Sequence, residues 1–308
     1  MQKVLRIGTR DSQLAIWQAT HVQNLLNDAG FPSELHFIKS EGDIDTVTPL
    51  YALGVQGIFT KTLDAALLSK RIDIAVHSMK DVPTVLARGI QQAAVLKRAS
   101  YKDIFVYKED SSFLDDTHSV ATIATSSIRR IAQWLNRYPN HSFENLRGNV
   151  NTRLRKVTES HWHGAIFAAA GVERISVRPQ NSIDLNWMLP APAQGAIMVV
   201  GREDEDDVLQ SCQSFNDEHT ALCTKIERDF LRTLLGGCST PISALASIEN
   251  DEIIFQGNIC SPDGRQKREI QRRIPIDYNG SPGVLFANLI LAEGAHTIVE
   301  SIRKKSLS

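Results

Sequence analysis

Nothing in this sequence of 308 residues approaches the ~20 consecutive apolar residues that cross a bilayer. Met1-Gln2-Lys3 leads straight into Val4-Leu5-Arg6-Ile7, too short and too interrupted for a secretory apolar core. No membrane partner and a cytoplasmic location are therefore expected. An excess of one charge is missing as well. The 34 basic and 35 acidic residues leave a net charge of −1, with no global pull toward nucleic acid. Any anion has to be held by a local cluster. Cysteine is scarce, and Cys212, Cys223, Cys238 and Cys260 show no C-x-x-C spacing and no companion histidine pair. That argues against a zinc site and fits reduced thiols. Neither a G-x-x-x-x-G-K-[S/T] loop nor a G-x-G-x-x-G turn occurs, so phosphate is a poor candidate ligand.

What is present is ordinary for a soluble globular protein: 42% hydrophobic and 22% charged residues. The length exceeds what one core usually serves, so two or three domains are expected. Strand patterns at Val4 to Ile7, Glu34 to Ile38 and Ile72 to Val76 alternate with helical ones, Gln13 to Ala29 and Phe59 to Leu67. The pattern restarts near Lys102, with strands at Asp103 to Tyr107, Val120 to Ala124, Ser142 to Leu146 and Ala165 to Ala170, and a helix from Ile128 to Tyr138. This alternation predicts parallel α/β architecture, whose ligands sit beyond the carboxyl ends of the strands. Ala196 to Val200 is a strand able to cross back to the first domain. The last third differs: a helix from Asp217 to Leu235, a hairpin through Ser261-Pro262-Asp263-Gly264, and a helix from Leu285 to Lys304 interrupted at Gly294.

The chemistry-bearing residues collect at strand-to-helix junctions. Arg10, Arg129, Arg147 and Arg153 all fall there, and Arg130 adjoins Arg129. Arginine pairs carboxylates in a planar, bidentate fork, so a ligand with several carboxylates is expected. Two arginines in the first turn of one helix oppose its dipole, which predicts that they face an anion. Ser12 is placed to cap one helix, and Thr125-Ser126-Ser127 to cap another. Lys80-Asp81 follows a strand end, where a solvated turn is the bland reading. Cys238 follows a helix that ends in Gly236-Gly237, and Pro241 prevents the helix from resuming. A buried packing residue is the bland reading there; a thiol presented on a turn is the other.

These stretches resemble the porphobilinogen deaminase family. The matching runs are Arg6-Ile7-Gly8-Thr9-Arg10-Asp11-Ser12, Ala75 to Pro83 around His77-Ser78-Met79-Lys80-Asp81, Thr125 to Arg130 and Leu146 to Arg153. Ala169 to Arg174, Pro192 to Ala196 and Leu235-Gly236-Gly237-Cys238-Ser239-Thr240-Pro241-Ile242 complete the set, in the family's order over nearly the whole chain. The resemblance implies two α/β domains like those of periplasmic binding proteins, with the site between them, plus a smaller C-terminal α+β domain. Their expected extents are 1–98 with 195–213, 102–190 and 217–308.

The resemblance further implies a monomer that polymerises four porphobilinogen molecules, with loss of ammonia, on a dipyrromethane cofactor. Cys238 would carry that cofactor through a thioether. Asp81 would be the catalytic residue. Lys80, Ser12, Thr125, Ser126, Ser127, Arg129, Arg130 and Gly148 would hold the cofactor; Arg10, Arg147, Arg153 and Arg174 would take the substrate. No metal is implied. The chain departs from the family at Gln56, where a lysine is expected, at Ala193 in place of glycine, and at Val200 in place of glutamate. The last two read as packing changes. The rival reading is a non-catalytic two-lobed cytosolic receptor for a polycarboxylate, which needs neither Asp81 nor the thiol. A cysteine hydrolase lacks a histidine partner for Cys238.

Overall fold

The computed structural model describes residues 3–39, 60–234 and 240–306. The calls on the 40–57 loop, Gln56 and Cys238 lie outside them. The chain begins β1 (Leu5–Thr9), α1 (Gln13–Asp28), β2 (Ser33–Phe37), α2 (Lys61–Leu68), β3 (Ile74–Ser78) and β4 (Ile90–Val95). It continues β5 (Asp103–Tyr107), β6 (Thr122–Ala124), α3 (Ile128–Arg137), β7 (Ser142–Glu144), α4 (Val150–Glu159), β8 (Gly164–Ala168), α5 (Ala169–Glu173) and β9 (Ser182–Asp184). Then come β10 (Ile197–Arg202), α6 (Asp206–Ser211) and α7 (Glu218–Leu234). The chain closes with β11 (Ile242–Glu249), β12 (Glu252–Cys260), β13 (Lys267–Pro275), α8 (Pro282–Ile290) and α9 (His296–Ser306).

Two compact units result. One gathers the described residues up to 99 with 195–222, and the other takes 100–194 with those from 223 onward. The first unit is built on a five-stranded sheet ordered β2-β1-β3-β10-β4, in which β1 runs parallel to β2 and β3 while β10 is antiparallel to β3 and β4. Ile7, Ile74, Val76 and Val199 meet Ala19, Val22 and Leu26 of α1 in its core. The helix buries one stripe because its apolar residues recur at three- and four-residue spacing.

The second unit repeats that order as β7-β6-β8-β5-β9, with β5 as the antiparallel strand. Both sheets are therefore mixed, where strand–helix alternation predicted parallel ones. The antiparallel members, β10 and β5, are strands that the sequence marks, but alternation does not give their direction. The second unit also carries the antiparallel sheet β11-β12-β13. Phe255 of that sheet stacks on Phe286 of α8 and tilts against Phe230 of α7. The whole is two α/β sheets plus an α+β domain, as the resemblance implied.

Residues 282–303 are, by length and composition alone, apolar enough to cross a membrane. The structure uses them otherwise. Gly294 takes a φ of +98° and kinks the run, and Phe286, Ala287, Ile290, Ile298 and Val299 are buried.

Candidate active site

In the first unit β1 and β3 pair directly, Ile7 opposite Ile74 and Gly8 opposite Ala75, so both strands end at one edge. Arg10 leaves β1 there, half-buried. Two residues on, Ser12 caps α1, accepting from the Ala15 amide at 3.4 Å. From the end of β3 the chain enters one 3-10 turn, Met79–Asp81. Met79 is buried and anchors that turn, Lys80 is half-buried and Asp81 is exposed. The Val82 amide donates to the Met79 carbonyl at 3.1 Å and closes it. Below it, Gln18 of α1 donates to Ser78 Oγ at 3.0 Å, tying helix and strand end together. Asp81 thus stands exposed on a closed turn.

His77 shares this edge. It is 6% exposed, and its Nε2 has no hydrogen-bond partner among the described residues. Burial, helped by the positive charge of Arg10, pushes its pKa down to about 4, so it is neutral at physiological pH.

The second unit places its groups by the same rule. β6 runs parallel to β7 and β8, and all three end at one edge. Thr125, Ser126 and Ser127 follow β6, Arg147 and Gly148 follow β7, and α5 with Arg174 follows β8. Gly148 takes a φ of +109°, a conformation that favours glycine, and its carbonyl accepts Arg153 Nε at 2.7 Å. Asn149 caps α4 by accepting from the Thr152 amide at 2.9 Å. Arg147 is buried and Arg153 half-buried. Burial lowers the Arg174 pKa to about 10, which leaves it charged at neutral pH.

Two expectations change here. The anion that Arg129 and Arg130 face is part of the chain: Asp103, at the head of β5. Arg129 Nη2 donates to Asp103 Oδ2 at 2.7 Å, and Arg130 Nη2 to Oδ1 at 2.6 Å. Both arginines are buried, and the aspartate is fully so. Nor do the hydroxyls before α3 cap it. Ser127 sits at the cap position without a side-chain cap bond, and its amide donates to Thr125 Oγ1 at 3.3 Å. Ser126 Oγ is bonded to Asn145 Oδ1 and to the Leu146 carbonyl at 2.9 Å, fastening the β6 and β7 ends together.

Asp103 was not singled out from the sequence. Its signal was a charge at the head of the apolar run Ile104-Phe105-Val106, a register that carries it inward. Ala193, read above as a packing change, is instead a backbone matter. It holds a φ of +63°, and its amide donates to Glu227 Oε2 at 2.6 Å. Val200 is buried in β10, as a packing change requires. Cys212, Cys223 and Cys260 are buried, and burial raises the Cys212 thiol to about 11 and the Cys260 thiol to about 12. Cys212 and Cys260 are therefore packing residues with little thiolate.

Comparison with known proteins converges on one family. The model described as porphobilinogen deaminase, dipyromethane cofactor binding domain, matches residues 5–210, and that of the porphobilinogen deaminase C-terminal domain matches 221–292. A porphobilinogen deaminase of Acidithiobacillus ferrooxidans is 38% identical over 313 residues, covering 98% of this chain and 99% of the relative. One of Syntrophomonas wolfei is 39% identical over 305 residues, covering 97% and 99%. One of Chlorobium phaeobacteroides is 38% identical over 315 residues, covering 99% of each. Full-length relatives at this identity, and family models that take in both α/β sheets and the start of the C-terminal domain, leave no room for an unrelated receptor: the chain belongs to the porphobilinogen deaminases, the hydroxymethylbilane synthases of tetrapyrrole biosynthesis.

Proposed function

We propose that Cys238 carries the dipyrromethane through a thioether, and that Asp81 is the catalytic carboxylate for each deamination and condensation of porphobilinogen. The observation that supports this division is the setting of Asp81. It is an exposed carboxylate on a short, anchored turn, at the edge where Arg10 emerges.

The residues present fit the cofactor's chemistry. Its acetates and propionates need cations, and its pyrrole N–H groups need an acceptor. Arg129 and Arg130 share a single carboxylate, so the trio keeps one positive charge for an anion. Lys80, Ser12, Thr125, Ser126, Ser127 and the Gly148 backbone complete the set assigned to the cofactor. Arg10, Arg147, Arg153 and Arg174 take the carboxylates of porphobilinogen. When bound, the dipyrromethane supplies the free pyrrole carbon at which the chain grows.

The carboxylate of Asp81 accepts a pyrrole N–H of the substrate and stabilises the positive charge that builds as ammonia leaves. It then holds the proton released when the new carbon–carbon bond forms. Arginines on the acetates and propionates orient the ring so that this carboxylate stays in reach. The enzyme works as a cytoplasmic monomer, a state that sedimentation of the purified protein checks.

Intact mass of the purified chain, with an aldehyde colour test for pyrroles, tests the assignment. The wild type should carry the added mass of a dipyrromethane, and Cys238→Ser should be soluble and free of it. An adduct that survives in Cys238→Ser would move the attachment point elsewhere.

A further inference from the structure

One buried carboxylate in the second unit enters the chemistry above only through its charge. Asp103 is the first residue of β5 and stands opposite Ala168, the last residue of β8. It therefore lies at the edge where the parallel strands of that sheet end. Its Oδ2 accepts Arg129 Nη2 at 2.7 Å. Its Oδ1 accepts Arg130 Nη2 at 2.6 Å, Arg130 Nε at 3.1 Å and Gln194 Nε2 at 3.0 Å. The far sides of both guanidiniums are held too. Arg129 Nη1 donates to the Leu189 carbonyl at 2.6 Å and Arg130 Nη1 to that of Ile166 at 2.8 Å.

Two features separate this trio from an ordinary ion pair. Side-chain exposures of 5%, 8% and 0% for Arg129, Arg130 and Asp103 leave little water to screen it. Two guanidiniums against one carboxylate also leave a net positive charge, which is costly to bury. Burial correspondingly lowers the Arg129 pKa, and Asp103 works against that shift. A surplus charge held this far from water costs more than a neutral or apolar arrangement would.

We infer that Asp103 is a positioning residue for carboxylate binding: it locks Arg129 and Arg130 into one fixed pair and reduces their charge to a single unit. The pair then meets an anionic ligand already oriented, with the ordering cost met on folding. Gln194 holds the carboxylate from the connector side, and its Nε2 also donates to the Tyr101 carbonyl at 2.7 Å. This inference rests on the reading that Arg129 and Arg130 hold the dipyrromethane carboxylates.

The test is cofactor loading. Full-length Asp103→Asn and Asp103→Glu are purified beside the wild type. Each is measured for dipyrromethane occupancy by intact mass, for folded fraction by circular dichroism, and for kcat and KM. Asp103→Asn should load at least about tenfold less per folded molecule. Asp103→Glu keeps the charge but shifts the fork, and should fall at least about threefold short. In an Arg130→Gln background, Asp103→Asn should add little further loss, because it acts through that side chain. Wild-type loading and KM in folded Asp103→Asn would overturn the inference; if that variant is insoluble, wild-type loading of Asp103→Glu would do so. Loss in proportion to the unfolded fraction alone would also overturn it, by assigning a purely structural role. A wild-type chain without adduct would instead sink the underlying reading of the arginines.

Discussion

Asp73 and Asp103 are both fully buried aspartates that gather arginines, but they stand at opposite ends of equivalent sheets. Asp73 immediately precedes β3, on the edge away from Asp81. It accepts Arg6 Nε at 2.9 Å, Lys3 Nζ at 2.8 Å and Arg202 Nη2 at 3.2 Å. Lys3 and Arg6 are partly exposed, and Glu205 takes a second bond from Arg202 at 2.7 Å. The surplus charge there is met by a second carboxylate and by water. Around Asp103 the arginines are sealed in, and among the described residues no second carboxylate pairs with them. The same side-chain chemistry thus closes the end of one sheet with its charges met, and at the junction end of the other holds a sealed positive charge.

Substitutions can break that contrast. The largest effect is expected at the ligand edge of the first unit. Asp81→Asn should lower kcat by roughly 10²- to 10⁴-fold, the usual reach of a lost general acid–base group. Its melting temperature and adduct mass should match the wild type, because the carboxylate is exposed. Near-normal turnover would remove Asp81 from the mechanism.

At the opposite edge, Asp73→Asn should cost up to about 3 kcal/mol of stability, the low end for a broken buried pair, because Arg202 keeps Glu205. Loading per folded molecule should not change. Burial alone would raise the Asp73 pKa, but bonds from Arg6 and Lys3 outweigh it and hold it well below the usual carboxylate range. Its folded pKa is thus below the unfolded one, so its contribution is complete above about pH 4 and is lost as pH falls further. Acid unfolding followed by circular dichroism should show Asp73→Asn with a shallower slope in that window.

His77 gives a third handle. Its folded pKa of about 4 lies below the ordinary 6.5, so the unfolded chain binds the extra proton. Its contribution is complete above that ordinary value and fades toward pH 4, by about 3 kcal/mol at most. Urea unfolding at pH 7.5 and pH 5 should show a smaller difference for His77→Gln than for the wild type. An equal difference would mean that the imidazole binds protons alike in the folded and unfolded chain. The smallest effect belongs to Ala193. Replacing it with glycine at φ +63° should stabilise by about 1 kcal/mol or less, read as a small rise in melting temperature.

Much of this arrangement was legible beforehand because it is local. A strand, a polar junction and a capped helix follow one another within some twenty residues. Arg10, Ser12 and Arg147 could therefore be placed at strand ends by pattern alone. What escaped was set by distance along the chain. The antiparallel strands β5 and β10 pair with partners far from them in sequence, so alternation made the sheets look parallel. The counter-ion of Arg129 and Arg130 lies well before them, and a side chain's reach, unlike a strand's period, leaves no repeat to read. The Ser126 hydroxyl looked like a helix cap because a cap is the local use for it. The fold instead spends it on the turn after β7.

The crossing strand of the first sheet also governs the order of assembly during synthesis. β3 and β4 flank β10, so neither has its inner neighbour until residue 202 has been made. The second sheet draws all its strands from residues 103–184 and is complete before then. On the ribosome, then, the middle of the chain is able to fold first while the amino-terminal segment keeps two open strand edges. Unpaired edges invite aggregation. Dependence on chaperones should therefore fall on the earliest residues to emerge.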